Sequence, residues 1–187
     1  MKVFTPQYGV VAKLAGGAKL AGGAKLAGDA LGQLLGEGGK VVIVEGNPGA
    51  DNATQRRLGF EDAVAENKLD LLDSRTAHWE TEEANQVFST MLTAHPDIQG
   101  VMAANDSMAI GVVKALESAG RSDIKVVGFD AIPAVLPMLD DGRMLATVDQ
   151  FGQQMAANAI DMALGVVEGG PALEGWVKTP IELVTGK

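Results

Sequence analysis

The sequence predicts a three-layer α/β fold built on a doubly wound parallel sheet. Three observations carry that reading. From Lys40 onward, short apolar runs alternate with helical patterns, and repeated β–α units imply a parallel sheet with helices on both faces. Val41-Val42-Ile43-Val44 is a continuous β-branched run, as expected of a strand covered on both sides. Polar residues then stand just past successive strand ends, where open parallel sheets bind their ligands.

The first forty residues break this pattern. Gly17–Gly22 and Gly23–Gly28 both read GAKLAG, and Val11–Gly16 ends in the same AKLAG. At about 100° per residue, a six-residue step sends Leu14, Leu20 and Leu26 in three directions, so the leucines share no face. The glycines in each copy weaken a helix further. By contrast Leu26, Ala30 and Leu34, with Ala27, Leu31 and Leu35, form an i, i+4 stripe. This predicts a packed helix at about 24–36, stopped by Gly38-Gly39. The upstream copies read as an insertion, natural or engineered, with little to pack against. The division that follows is a remnant and repeat segment over 1–23 and a single α/β lobe over 24–187.

The strands are expected at Val41–Glu45, Leu69–Asp73, Gly100–Ala104, Lys125–Phe129 and Leu145–Asp149. Helices are expected at about 52–66, 81–94, 107–120, 132–141 and 151–168. His95-Pro96 and Gly120 punctuate two of them. Pro133 and Pro137 make the fourth of these short or irregular. A last strand over Val177–Leu183 contains Pro180 and so belongs at an edge.

Composition narrows the function. The 187 residues carry 15 Lys and Arg against 24 Asp and Glu, a net charge of −9. That balance argues against nucleic acid, whose phosphates are held by Lys and Arg. There is no cysteine, hence no disulfide framework, thiolate metal site or cysteine nucleophile. No apolar run reaches the roughly 18–20 residues of a membrane span. No clean apolar stretch with a cleavage site stands at the N-terminus, so the chain as written carries no export signal and is expected to stay cytoplasmic as expressed.

Catalysis has little support, and no enzyme, metal or cofactor is expected. Gly46-Asn47-Pro48-Gly49 lacks the Lys of a phosphate loop, and no GxGxxG is present. His78 and His95 have no metal-binding spacing, and no serine sits in a GxSxG elbow. Asp51, Asn52 or Thr54 can cap the helix after the first strand, and Asp106 can cap the one after the third. Five residues remain as ligand candidates: Arg56, Trp79, Asn105, Asp130 and Gln150, each on a separate strand–loop–helix unit. Arg56 is expected to face the crevice because Leu58 and Phe60 serve the core, while Arg57 is left to solvent. An aromatic plate, a guanidinium and three amide or carboxylate groups suit a polyhydroxylated small molecule, a sugar or polyol.

KLAGDAL at 25–31, the RxxGF run Arg56–Phe60, MLTAHPDIQGVMAANDSMAIG at 91–111 and VVGFD at 126–130 resemble the C-terminal lobe of ribose-type periplasmic sugar-binding proteins. These are the type I solute-binding proteins of ABC importers, and the resemblance runs from about Tyr8 to Val184. It implies a flavodoxin-like, Rossmann-like lobe, a periplasmic parent, and an importer permease as the parent's partner. It places Arg56, Asn105, Asp130 and Gln150 on sugar-contacting positions and Trp79 where a stacking aromatic is usual. The family clamps its ligand between two lobes, whereas only MKVFTPQ precedes Tyr8 here. An isolated lobe is therefore expected to bind weakly or not at all. Met155, Ala159, Met162, Ala163 and Val166 give the helix after Gln150 an apolar side, which makes a monomer if it packs on the chain's own sheet. The surface that a second lobe covers in the family, the helix flanking the first strand and the crevice mouth, favours a homodimer or swapped assembly instead. The alternatives are the effector-binding core of a LacI-type regulator and an engineered folding scaffold without ligand function.

Overall fold

The computed structural model describes residues 17–169 and 179–186. Helix α1 (Gly17–Leu35) leads into strand β1 (Lys40–Glu45), followed by α2 (Asp51–Glu66), β2 (Asp70–Thr76), α3 (Thr81–Ala94) and β3 (Gly100–Ala103). Helix α4 (Asp106–Ala119), β4 (Lys125–Val127), a 3₁₀ turn at Pro133–Val135, α5 (Leu136–Asp140), β5 (Ala146–Asp149), α6 (Gly152–Val167) and β6 (Glu182–Thr185) complete it. The strand order is β2-β1-β3-β4-β5-β6. The first five strands run parallel, and β6 closes the edge antiparallel to β5, from Ala146 opposite Thr185 to Asp149 opposite Glu182.

The chain leaves β1 toward one edge and returns across it to β3, so its direction of travel reverses between those two strands. Right-handed crossovers then put α2 and α3 on opposite faces of the sheet. α1 packs with α2, and α3 with α4, giving the three layers. The core between them holds Phe60, Phe88, Phe129, Ile43, Met91 and Met102, all fully buried.

Four sequence expectations need correction. The first helix already includes Gly17 and does not begin at 24, and its repeat residues enter the core: Leu20, Ala24 and Ala27 are buried beside Leu31. The small residues do the packing. A Cβ on Gly28 would stand 2.5 Å from that of Ala63, and one on Gly59 of α2 would enter the Ala21 carbonyl. Gly23 faces Phe129 and Val148, where a Cβ would lie 2.9 Å from the Phe129 ring. Leu26 and Leu34, expected inside, are exposed. Glycines that weaken an isolated helix here let α1 approach α2 and the sheet closely. Second, Leu58 is 40% exposed and does not serve the core, unlike fully buried Phe60.

Third, α2 takes no side-chain cap: its N-cap is Ala50. Fourth, the last strand starts at Glu182, five residues later than expected; Val177 and Lys178 lie outside the described residues. Its edge position stands, with Pro180 just ahead of it. The prolines have the foreseen effect, reducing the helix expected at 132–141 to a 3₁₀ turn and one short helix. Among the described residues no helix is long and apolar enough to cross a membrane.

Candidate functional site

The reversal between β1 and β3 opens a crevice at the carboxyl ends of the strands. Arg56 lies one turn into α2 and points back over the sheet, with its side chain only 6% exposed. Its Nη1 donates to the Ala104 carbonyl at 2.7 Å and to Asp130 Oδ2 at 3.2 Å, and its Nη2 donates to Asp130 Oδ1 at 2.9 Å. The pairing is bidentate, which fixes the guanidinium plane as well as its position. The guanidinium carbon sits 4.0 Å from the Phe129 ring centre and 5.3 Å from that of Trp79. The Nε of Arg56 is buried and has no hydrogen-bond partner among the described residues.

Asp130 also accepts from Gln150 Nε2 at 2.6 Å. The structure thus brings Arg56, Trp79, Asp130 and Gln150 into one contiguous group. Asn105 stands at the neighbouring strand tip, immediately after the carbonyl that Arg56 binds. It caps α4, its Oδ1 accepting from Met108 N at 2.9 Å. The capping role expected of Asp106 thus falls to Asn105. Both residue types cap helices, but Asp106 is turned inward and fully buried instead.

Trp79 follows His78 in a tight turn, both with left-handed backbone (φ 70° and 50°). Its six-membered ring lies against Gly46, where any side chain would collide with the indole. The Gly46–Gly49 loop therefore serves two ends: Gly49 turns the chain at φ 83°, and Gly46 admits the tryptophan. Asp130 and Ala131 are left-handed too, at φ 103° and 49°. Strained non-glycine residues thus cluster at the strand tips, as they do at many functional sites. Arg57, as expected, stays near the surface and pairs with Glu61 and Glu45.

Three contributors were not foreseen. Phe129, one residue before Asp130, supplies the platform under Arg56; it stands at the end of an apolar run and carries no polar group to single it out. Lys19, in the repeat, donates to the Gln150 carbonyl at 2.8 Å, to Thr179 Oγ1 and toward Met155 Sδ at 3.4 Å. Burial holds its amine below the ordinary lysine range, with Asp149 partly opposing. Asp106 is the third: desolvation pushes its carboxyl up to about 7 against the hydrogen bonds of Thr147 and Ile132. Among the described residues no three His, Cys, Asp or Glu side chains gather to hold a metal ion.

Comparison with known proteins fits this geometry. The profile of the periplasmic binding protein domain matches residues 12–171. A D-ribose/D-allose-binding protein of Pseudomonas aeruginosa is 44% identical over 159 residues, covering 83% of this chain and 50% of its own length. The ribose import binding protein of Escherichia coli K12 is 40% identical over 141 residues, or 75% of this chain and 48% of that protein. Among solved structures, an ABC transporter periplasmic solute binding protein from Actinobacillus succinogenes with bound D-allose superposes with a TM-score of 0.85. It is 36% identical and covers 90% of this chain and 59% of its own. The chain thus spans about half the length of the curated relatives it matches.

Proposed function

Because the chain belongs to the periplasmic binding protein domain family, we propose that its crevice binds a monosaccharide or polyol and forms half of a clamp. The observation that carries this is the Arg56–Asp130–Gln150 group at the strand tips beside Trp79. Asp130 accepts from sugar hydroxyls, while Arg56 and Gln150 hold its carboxylate in place. Asn105 adds the amide nitrogen that its capping oxygen leaves unused. Trp79 offers an apolar surface to a ring face. Ribose and allose are the first sugars to try, since relatives are named for them.

The reading extends to the parent's role. Relatives named as import binding proteins and ABC transporter solute binding proteins support capture of a sugar in the periplasm and delivery to an importer permease. The chain is then a non-catalytic carrier lobe over 24–187, with residues 17–23 lengthening its first helix. Alone, it binds weakly, because one lobe supplies part of the contacts and does not exclude water from both sides. Calorimetry with millimolar ribose and allose tests this. Weak heat abolished by Asp130→Ala supports it; a response that survives Asp130→Ala places the sugar elsewhere and sinks it.

A second copy is the proposed partner of α6. Ile160, Leu164 and Val167 stand at i, i+4 and i+7 and are 61%, 52% and 64% exposed. Met155, Ala159, Met162 and Val166 on the other side are only half-buried, and Ala163 is exposed. Light scattering over a concentration series decides it, and a constant monomer mass would refute the assembly.

A further inference from the structure

Helix α4 begins with two polar residues, and capping needs only the first. Asn105 closes the helix end, which leaves Asp106 without a capping role. Its carboxylate is nevertheless fully buried, and among the described residues no cation pairs with it. Burying a carboxylate without a cationic partner is costly, so its contacts are the place to look for its role.

They run to the turn that carries Asp130 and to Thr147 of β5, which itself reaches that turn. Asp106 Oδ2 accepts from Ile132 N at 2.9 Å, and Oδ1 accepts from Thr147 Oγ1 at 2.7 Å. The Thr147 hydroxyl oxygen in turn lies 3.4 Å from the Ala131 amide that donates to it. The Asp106 amide donates to the Phe129 carbonyl at 2.8 Å. Gly128 lies so close that any side chain there would collide with Oδ1. Residues 128–132 are thus held from both sides of the very segment whose backbone is left-handed at Asp130 and Ala131.

We infer that Asp106 is a positioning residue: with Thr147 it latches the 129–132 turn in its strained form, so that Asp130 faces Arg56 and Gln150. The functional meaning of the latch rests on the sugar-binding reading, but the latch itself does not. A left-handed aspartate and alanine relax unless the surroundings over-determine them. Two hydrogen bonds to one buried carboxylate supply that constraint, and its second oxygen reaches past Asp130 to Ile132. Arg56 is the reporter, because its bidentate pairing restricts rotation of the guanidinium.

The test uses the whole chain and NMR of the Arg56 guanidinium, with circular dichroism as the check on folding. Thr147→Val keeps shape and removes the hydroxyl; Thr147→Ser restores it. In Thr147→Val the Arg56 rotation rate should rise about tenfold, the size of one buried hydrogen bond lost, with the dichroism unchanged. Thr147→Ser should stay within about twofold of the parent, since the bond is remade. Asp106→Asn, which can still accept from Ile132 and donate to Thr147, should do the same. An unchanged rotation rate in Thr147→Val overturns the latch, as does a serine variant as loose as the valine. Should Thr147→Val not fold, a parent-like Asp106→Asn supports the latch and a freely rotating Arg56 in it overturns it. If no sugar at millimolar concentration moves a crevice resonance while Thr147→Val still frees Arg56, the latch stands and the binding reading falls. If sugar binds equally to parent and Thr147→Val with Arg56 unchanged, the latch falls and the binding reading stands.

Discussion

Helices α1 and α6 have similar length and both are rich in alanine, glycine and large apolar residues, yet one is core and the other is not. In α1, Leu20, Ala24, Ala27 and Leu31 are buried; in α6 no residue is buried. The apolar pattern alone does not separate them. What separates them is whether a neighbour comes close enough. Gly23, Gly28 and Gly59 let α1 meet Phe129, Ala63 and α2 at backbone distance, whereas no Cβ on Gly152 or Gly165 of α6 would touch anything within 4 Å. Burial follows from a matched surface, and small residues make the match.

The largest effect should come from moving the repeat out of register. Deleting Gly17–Gly28 brings Tyr8 into the place of Leu20 and Val11 into that of Gly23, against Phe129 and Val148. Overpacking combined with the loss of a buried leucine should cost at least about 3 kcal/mol, or roughly 6–12 °C in Tm. From the leucine spacing alone the same deletion looks harmless or helpful; the packed face of α1 reverses that expectation. Deleting one copy, Gly17–Gly22, leaves every described helix residue the same except Gly17, which becomes valine. Its melting curve should match the parent within about 0.5 kcal/mol. Equal losses from the two deletions would break the comparison.

The second prediction asks whether buried charge behaves like buried shape. Asp106 titrates at about 7 in the folded chain, against an unfolded carboxyl near 3.9. The folded form therefore keeps a proton that the unfolded form releases between about pH 4 and 7. Stability should fall as pH rises through that window, by up to about 1.4 kcal/mol per unit, with the cost fully present above 7. Denaturant melts of the parent and Asp106→Asn between pH 4 and 8 check it: the asparagine variant should lack that slope. Identical slopes would mean the carboxylate is better solvated than its burial indicates.

Next is Gly59→Ala, whose new methyl would enter the Ala21 carbonyl. A loss of about 1–3 kcal/mol by urea unfolding is expected, and a silent substitution would show that α1 can step back from α2. The smallest effect belongs to α6. Leu164→Gln should leave unfolding within about 0.5 kcal/mol of the parent while weakening any self-association seen by light scattering. A clear loss of stability at low concentration would mean that α6 is packed in cis, and the contrast with α1 would dissolve.

Much of the scaffold was legible because its signals are local. The β-branched run of β1, the helix-ending Gly120 and the two prolines near α5 each fix structure within a few residues. Candidate ligand groups were legible for a similar reason: a polar residue after an apolar strand can only be at a tip. What could not be read locally was any choice between equals. Asn105 and Asp106 are both good caps, and it is the Ile132 amide and the Thr147 hydroxyl, far along the chain, that hold Asp106 inward. The face of α1 was misjudged because leucines were followed, while glycine and alanine carried the contact. The direction of β6 was likewise beyond reach, since an edge strand pairs as well either way.

The identity of the GAKLAG copies has a consequence at the level of chain length. A gain or loss of one copy by slippage would present β4, β5 and α2 with the same contacting residues, since six positions later the helix reads the same. Each unit is then a spacer of about 9 Å when helical, inserted ahead of a core that does not register the change. Whatever is joined upstream of Gly17 could be shifted along and rotated about the helix axis one copy at a time, while Lys19, Leu20 and Gly23 keep their places. In this region the chain tolerates changes of length in multiples of six and resists changes of identity at single contact positions.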